Sequence, residues 1–327
     1  MAINTTFAGL TLKSPIIVGS CMLTNSVDNI RKYEQAGAGA VVLKSLFEEN
    51  IAWEMQKLDD GFDGNDHPEA YDYTFNTLGY KIVSDYIDVI RASKAACHIP
   101  VIASIACHSD GKWTEYAQKI QDAGADALEL NVMSLCTSKN YKYGDFEQLH
   151  INIVKHVCRT IQIPVIVKLG ANLSNPVALA DALCAYGAKG VVLFNRFYPT
   201  DIDVDKLDYV MSNPFTTAAD LSQPLRWAGI ISAAVPQLSL AVSGGVHDWQ
   251  GVAKSLLCGA HAVEVASAII KGGAAWIADA LAGLQAWQQG KGFDKLNDYR
   301  GKMSAADSEN ADKLTRVQFL KYFGSIH

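Results

Sequence analysis

Four stretches of the chain read alike: QAGAGAVVLK at Gln35–Lys44, DAGADALELN at Asp122–Asn131, AYGAKGVVLF at Ala185–Phe194 and LCGAHAVEV at Leu257–Val265. In each, a glycine follows an amphipathic helical stretch, as a helix C-cap does, and a short apolar run comes next. Other short apolar runs lie between the copies, at Pro15–Gly19, Pro100–Ile105, Pro164–Leu169 and Leu238–Val242. Three of them open on proline, which suits the first residue of a strand. Together the two sets predict eight strands, centred near residues 17, 42, 102, 129, 166, 193, 240 and 264. Near-continuous apolar strands alternating with helices call for a parallel sheet buried on both faces. Eight such units predict a (β/α)8 barrel; an open, doubly wound sheet is the alternative with the same alternation.

The two long gaps between strands, about 60 residues after the second and about 47 after the sixth, predict insertions of the kind that are functional lids or disordered segments. The first contains an aromatic and acidic stretch, Tyr71–Asn76, which reads as ordered. Nothing resembling a linker divides the 327 residues, so residues 1–327 read as a single barrel domain with insertions after strands 2 and 6. Apolar residues make up 49% and charged residues 19%, a core-building composition. The net charge of −6 carries no block of like charge, which gives no electrostatic reason to expect nucleic acid or an anionic membrane as partner. No signal peptide is visible, and Lys271 and Asp279 interrupt the apolar segment Ala266–Trp287, so the expectation is a cytoplasmic, non-membrane protein. The seven cysteines form no CxxC pair, and no metal site is expected.

In a barrel the chemistry sits where the strands end. The polar residues closing the runs are Gly19-Ser20, Lys44-Ser45, Ser104, Asn131, Lys168, Asn195, Ser243-Gly244-Gly245 and Ala266-Ser267. One strand-end lysine is a solvated rim residue in most proteins. Two lysines, two asparagines and a Gly-Gly pair at matching positions point instead to a site for an anionic or polar ring ligand. Small residues after strands 7 and 8 let backbone amides approach a phosphate. There is no GxGxxG and no GxxxxGK[ST], so Rossmann and P-loop sites are not indicated. His98, His150, His156 and His261 fall in helix or loop contexts and read as ordinary polar residues.

The ordered series Pro15–Ser20, Leu43–Ser45, Asn76–Gly79, Leu130–Val132, Val167–Leu169, Asn195, Ser243–Gly245, Leu257–Ala260 and Asp298–Lys302 resembles the dihydroorotate dehydrogenases over almost the whole chain. The resemblance implies an FMN-bearing barrel that oxidises dihydroorotate to orotate in pyrimidine biosynthesis. It implies cofactor contacts from Gly19, Ser20, Lys44, Ser45, Asn131, Lys168 and Asn195, with the phosphate on Gly244, Gly245, Ala266 and Ser267. Lys168 approaches the N1/O2 side of the flavin in this reading. Lys44, Asn76, Asn131 and Asn195 bind substrate. The start of the chain close to its first strand resembles the soluble branch, which implies a homodimer; an iron–sulfur cluster would need a partner subunit.

The loop after the fourth strand departs from the family. Where the family has Asn, two residues, a Cys or Ser base and then Pro-Asn, this chain reads Asn131-Val132-Met133-Ser134-Leu135-Cys136. Spacing makes Ser134 the expected base, with Cys136 as the alternative. Arg196 stands where the family usually has Ser. These departures leave a second reading open, a flavin-binding relative inactive on dihydroorotate or acting on another unsaturated compound. A third is a flavin-free barrel in which Lys168 forms a Schiff base.

Overall fold

The computed structural model describes residues 2–47, 68–107, 113–197 and 199–316, with side chains for all of these except 68–80 and 113. Each of the eight apolar runs forms a strand: β1 (Ile16–Val18), β2 (Ala40–Val42), β3 (Val101–Cys107), β4 (Ala127–Val132), β5 (Val165–Gly170), β6 (Gly190–Asn195), β7 (Ser239–Ser243) and β8 (Ala262–Val265). They pair in parallel in the order β2-β1-β8-β7-β6-β5-β4-β3, and β2 pairs back onto β3 through Val41–Val101 and Val42–Ile102. The sheet is closed. An open doubly wound sheet would leave β2 and β3 as edges, and here they satisfy each other, so the expected (β/α)8 barrel is the fold.

Helices return the chain from each strand to the next: α1 (Val27–Gln35), α2 (Pro68–Ala96), α3 (Trp113–Asp122), α4 (Asp145–Thr160), α5 (Pro176–Ala185), α6 (Ser222–Ala234) and α7 (Trp249–Leu257). The short α8 (Ser267–Gly272) and the longer α9 (Ala275–Gly290) follow β8, and α10 (Ser308–Thr315) follows these. The four-fold repeat has one physical cause. Gly37, Gly124, Gly187 and Gly259 have φ of +101°, +92°, +113° and +101°, a left-handed conformation that ends a helix at little cost only for glycine. In every copy the glycine amide bonds three residues back, as Gly37 to Glu34. The next amide bonds five back, as Ala38 to Tyr33. The chain is thereby turned from a helix into the following strand.

Two layers of core result. The larger lies between strands and helices and includes Val41, Leu128, Val167, Val191 and Leu240. The smaller fills the lower barrel interior with Ile17, Val42, Ile102, Ala127, Ile166, Val192, Ala241 and Ala262. Several of these are alanines, and the space they leave is filled by Phe7 and Leu12 of an N-terminal hairpin, Thr5–Phe7 paired with Leu10–Leu12. Gly190 accommodates this plug, because a Cβ there would sit 3.2 Å from the Phe7 ring.

The expected insertions are partly redistributed. Tyr71–Asn76 lies within α2, the 29-residue helix that leads back to β3. Residues 48–67 lie outside the described residues. The stretch after β6 does carry an insertion, an antiparallel hairpin of Thr200–Asp203 with Asp208–Met211. Ser104 is not a strand end: β3 runs on through Ile105, Ala106 and Cys107, which pair with β4. Among the described residues no helix is long and apolar enough to cross a membrane.

Candidate active site

Side chains alternate across a strand with period two, so on six of the eight strands the residue two positions beyond a lower-interior residue joins a second interior layer, whereas Val42 leads to the exposed Lys44 and Val192 to the apolar Phe194. That step leads from Ile17 to Gly19, Ile102 to Ser104, Ala127 to Glu129, Ile166 to Lys168, Ala241 to Ser243 and Ala262 to Glu264. The lower layer is apolar, and the layer above it is polar. Four of its members are nearly solvent-free, at 0% exposure for Ser104, 1% for Glu129, 2% for Glu264 and 8% for Lys168.

These groups are joined. Lys168 Nζ donates a hydrogen bond to Glu264 Oε1, a buried ion pair across the barrel. Ser104 Oγ donates to Glu129 Oε1 at 3.4 Å and shares a 2.8 Å bond with Ser45 Oγ, which in turn meets Ser20 Oγ at 3.0 Å. Tyr86 of α2 fixes the serine from behind, donating its hydroxyl to Ser104 O and accepting from Ser104 N. Burial, and next to it the charge of Glu264, holds the Glu129 carboxyl well above the usual carboxylate range. Burial works to lower the Lys168 ammonium, but Glu264 and Glu129 outweigh it and raise the pKa. Gly19 makes room for this cluster, since a Cβ there would come within 2.9 Å of Glu264 Oε1.

Two cavities open above the polar layer. The larger, about 700 Å³, is lined by Ser45, Glu129, Asn131, Ser134 and Lys168, among others. The smaller, about 240 Å³, is lined by Ser243, Gly244, Gly245, Ala266 and Ser267. Ser20, Lys168, Asn195 and Arg196 line both, so the two adjoin at Lys168. At the smaller cavity Gly244 and Gly245 have φ of +89° and +79°, and a Cβ on Gly245 would lie 2.2 Å from Leu221 N. Only glycine fits there. Ser267 Oγ accepts from Thr216 N at 3.1 Å, and Thr216 Oγ1 meets His247 Nε2 at 3.0 Å. A turn of small residues with hydroxyls beside it suits an anionic group.

At the larger cavity the ends of β4 and β6 are bridged. Asn195 Nδ2 donates to Asn131 Oδ1 at 2.9 Å. The bond leaves the Asn131 amide nitrogen and the Asn195 carbonyl as hydrogen-bonding groups for other partners; the Asn195 oxygen accepts from Arg196 N at 2.8 Å and keeps a second lone pair. Ser134 lines this cavity, and its carbonyl is held by Asn172 Nδ2 at 3.2 Å. Cys136 is exposed and lines a different cavity with Tyr141, Tyr143 and Glu147. Two residues of loop thus separate the candidate bases into different cavities. Lys44 is exposed and stands outside the residues lining either of the two adjoining cavities. Asn76 falls on α2, and its side chain lies outside those described. Glu129, Glu264, Thr216 and His247 were not anticipated from the sequence. For the two glutamates a signal existed: each is a charge in the middle of an apolar strand, Leu128-Glu129-Leu130 and Val263-Glu264-Val265.

Residues 2–287 match the dihydroorotate dehydrogenase family. The chain belongs to that family. Among its relatives is the "Dihydroorotate dehydrogenase B (NAD(+)), catalytic subunit" of Thermoplasma volcanium, 26% identical over 309 residues, covering 91% of this chain and 97% of the relative. The protein of the same description from Methanocella arvoryzae is 29% identical over 285 residues, covering 82% and 87%. The chain is also similar to the "NAD-dependent dihydropyrimidine dehydrogenase subunit PreA" of Escherichia coli K12, 25% identical over 323 residues, covering 91% and 76%. As a member of the dihydroorotate dehydrogenase family the protein is an oxidoreductase. One relative is named as a dihydropyrimidine dehydrogenase subunit, so family membership alone leaves the substrate open.

Proposed function

We propose that the protein is an FMN-dependent dehydrogenase that oxidises a CH–CH bond in a dihydropyrimidine ring, with dihydroorotate as its substrate. The observation that carries this reading is the pair of adjoining cavities with Lys168 at their junction. The smaller has the glycine turn and hydroxyls that a phosphate needs, and the larger has the breadth and paired amides that a flat ring system needs. The residues present therefore fit FMN.

In this reading Gly244, Gly245, Ala266 and Ser267 hold the phosphate, while Ser20, Ser45, Asn131, Asn195 and Lys168 border the ring. Bound FMN supplies the hydride acceptor. Asn131 and Asn195 orient the substrate ring by hydrogen bonds, already holding each other in place, which lowers the ordering cost on binding. Ser134 Oγ takes the proton from the substrate carbon and passes its own hydroxyl proton to water. Without such a relay a serine hydroxyl is a weak base.

Purified protein should be yellow, or become so with FMN, and dihydroorotate should bleach it without oxygen. A protein that stays colourless after incubation with FMN overturns the reading. A second reading rests on the similarity to the dihydropyrimidine dehydrogenase subunit and on Arg196, which lines both cavities. Under it the flavin is bound but another dihydropyrimidine reduces it. Anaerobic bleaching by dihydrouracil and not by dihydroorotate would decide for it.

A further inference from the structure

The function proposed above uses Lys168 but gives no task to the two carboxyls beside it. Glu129 and Glu264 are 1% and 2% exposed, on β4 and β8, with one ammonium between them. Glu264 Oε1 accepts from Lys168 Nζ, whereas Glu264 Oε2 is buried with no donor facing it. The Glu129 carboxyl lies within hydrogen-bonding reach of Glu264. Two carboxylates can only repel at that range, since both are acceptors; a single shared proton turns the contact into a hydrogen bond. The remaining neighbours are neutral hydroxyls, Ser104 on Glu129 and Ser45 beyond it, with the Cys21 thiol further off near Lys168. One ammonium, one carboxylate and one carboxylic acid leave the cluster without net charge, as burial this deep requires.

We propose that Glu264 is a positioning residue that shares one proton with Glu129 and holds Lys168 charge-compensated, so that the cluster limits how strongly this site favours reduced over oxidised flavin. The inference rests on the FMN reading above. A bare lysine beside the flavin would stabilise the negative charge that reduction brings, and an ion-paired one does so less. The carboxyl pair is thus a built-in control on the electron affinity of the site.

The first test needs no flavin. Infrared spectra of the flavin-stripped full chain at pH 7 should contain a carboxylic C=O band that shifts in D2O. That band should vanish in Glu129→Gln and also in Glu264→Gln, because the one remaining carboxyl then ionises against Lys168. Absence of the band from the unsubstituted protein, a measurement that needs no variant to fold, overturns the proposal, as does a band that survives both replacements. The second test titrates oxidised and anaerobically reduced FMN into the unsubstituted protein, the single variants and the double variant. Only the double variant leaves Lys168 uncompensated. Its preference for reduced over oxidised FMN should rise at least tenfold, ~30 mV for two electrons, and an unchanged preference overturns the proposal. If the unsubstituted protein binds neither form of FMN, the cofactor reading fails, and the flavin role of the cluster with it. The infrared result then still decides whether the proton is shared.

Discussion

Asn195 on β6 and Asn131 on β4 are joined by a 2.9 Å hydrogen bond that passes over the intervening strand β5, whose residue beside Asn131 is Lys168. The register explains the contact: Asn131 pairs with Lys168, and Gly170 pairs with Asn195, so the two amides reach the barrel mouth on either side of the lysine. Under the proposed function, replacing either asparagine by alanine removes one substrate contact and frees the other amide to rotate. The expected result is a fall in kcat/KM for dihydroorotate of roughly 10- to 100-fold, the worth of one lost buried hydrogen bond of ~1–3 kcal/mol, with FMN still bound. Steady-state kinetics on flavin-replete protein checks it; unchanged kcat/KM in both variants would remove the pair from the substrate site.

The separation of Ser134 from Cys136 makes a sharper forecast. Ser134 lines the large cavity and Cys136 is exposed in another. Ser134→Ala should slow reduction of the flavin by dihydroorotate roughly 10²- to 10⁴-fold, the usual worth of a general base. Cys136→Ala should leave it nearly untouched. Anaerobic stopped-flow absorbance gives both rates, and a reversed outcome would make Cys136 the base.

Gly245 has no room for a side chain. A methyl group there collides with Leu221 N at 2.2 Å, and the φ of +79° is strained for any L residue. Gly245→Ala should lose at least ~1–2 kcal/mol of stability and weaken FMN binding by displacing the turn. Gly244→Ala, with a similar φ but nothing within 4 Å of the added methyl, should cost only the strain. Thermal melts with and without FMN separate the two effects.

Away from the site, His261 predicts a pH dependence of stability. Burial, with a smaller contribution from Arg300, pushes its pKa down to about 4, and its Nδ1 accepts from Leu240 N at 3.2 Å. The folded protein therefore keeps this imidazole neutral at pH values where the unfolded chain, titrating near ~6.5, already binds a proton. Its contribution is fully present above about pH 6.5 and is lost as pH falls towards 4, by about 3 kcal/mol over the interval. Urea unfolding at pH 7 and pH 5 should show the loss, and His261→Asn should reduce it. Equal pH sensitivity in the variant would assign the effect elsewhere.

The barrel was legible because its units repeat a local code. Each copy has a Gly-Ala pair whose glycine is the one residue that tolerates a left-handed turn, placed between a helix and a short apolar run, and four copies leave little choice of architecture. The glycine turn and the strand-end asparagines were legible for a similar reason, since their positions follow from where an apolar run stops. Contacts across the barrel carry no such local signature. Glu129 and Glu264 are 135 residues apart in the chain and meet only because β4 and β8 face one common interior. The same closure buries Ser104 in mid-strand, where the sequence suggested an end. Likewise, spacing alone could not separate Ser134 from Cys136, because the course of the loop decides which cavity each one enters. Local conformational preference determined the elements and their order; the closed sheet decided which polar side chains share one water-poor volume, and therefore which charges must pair.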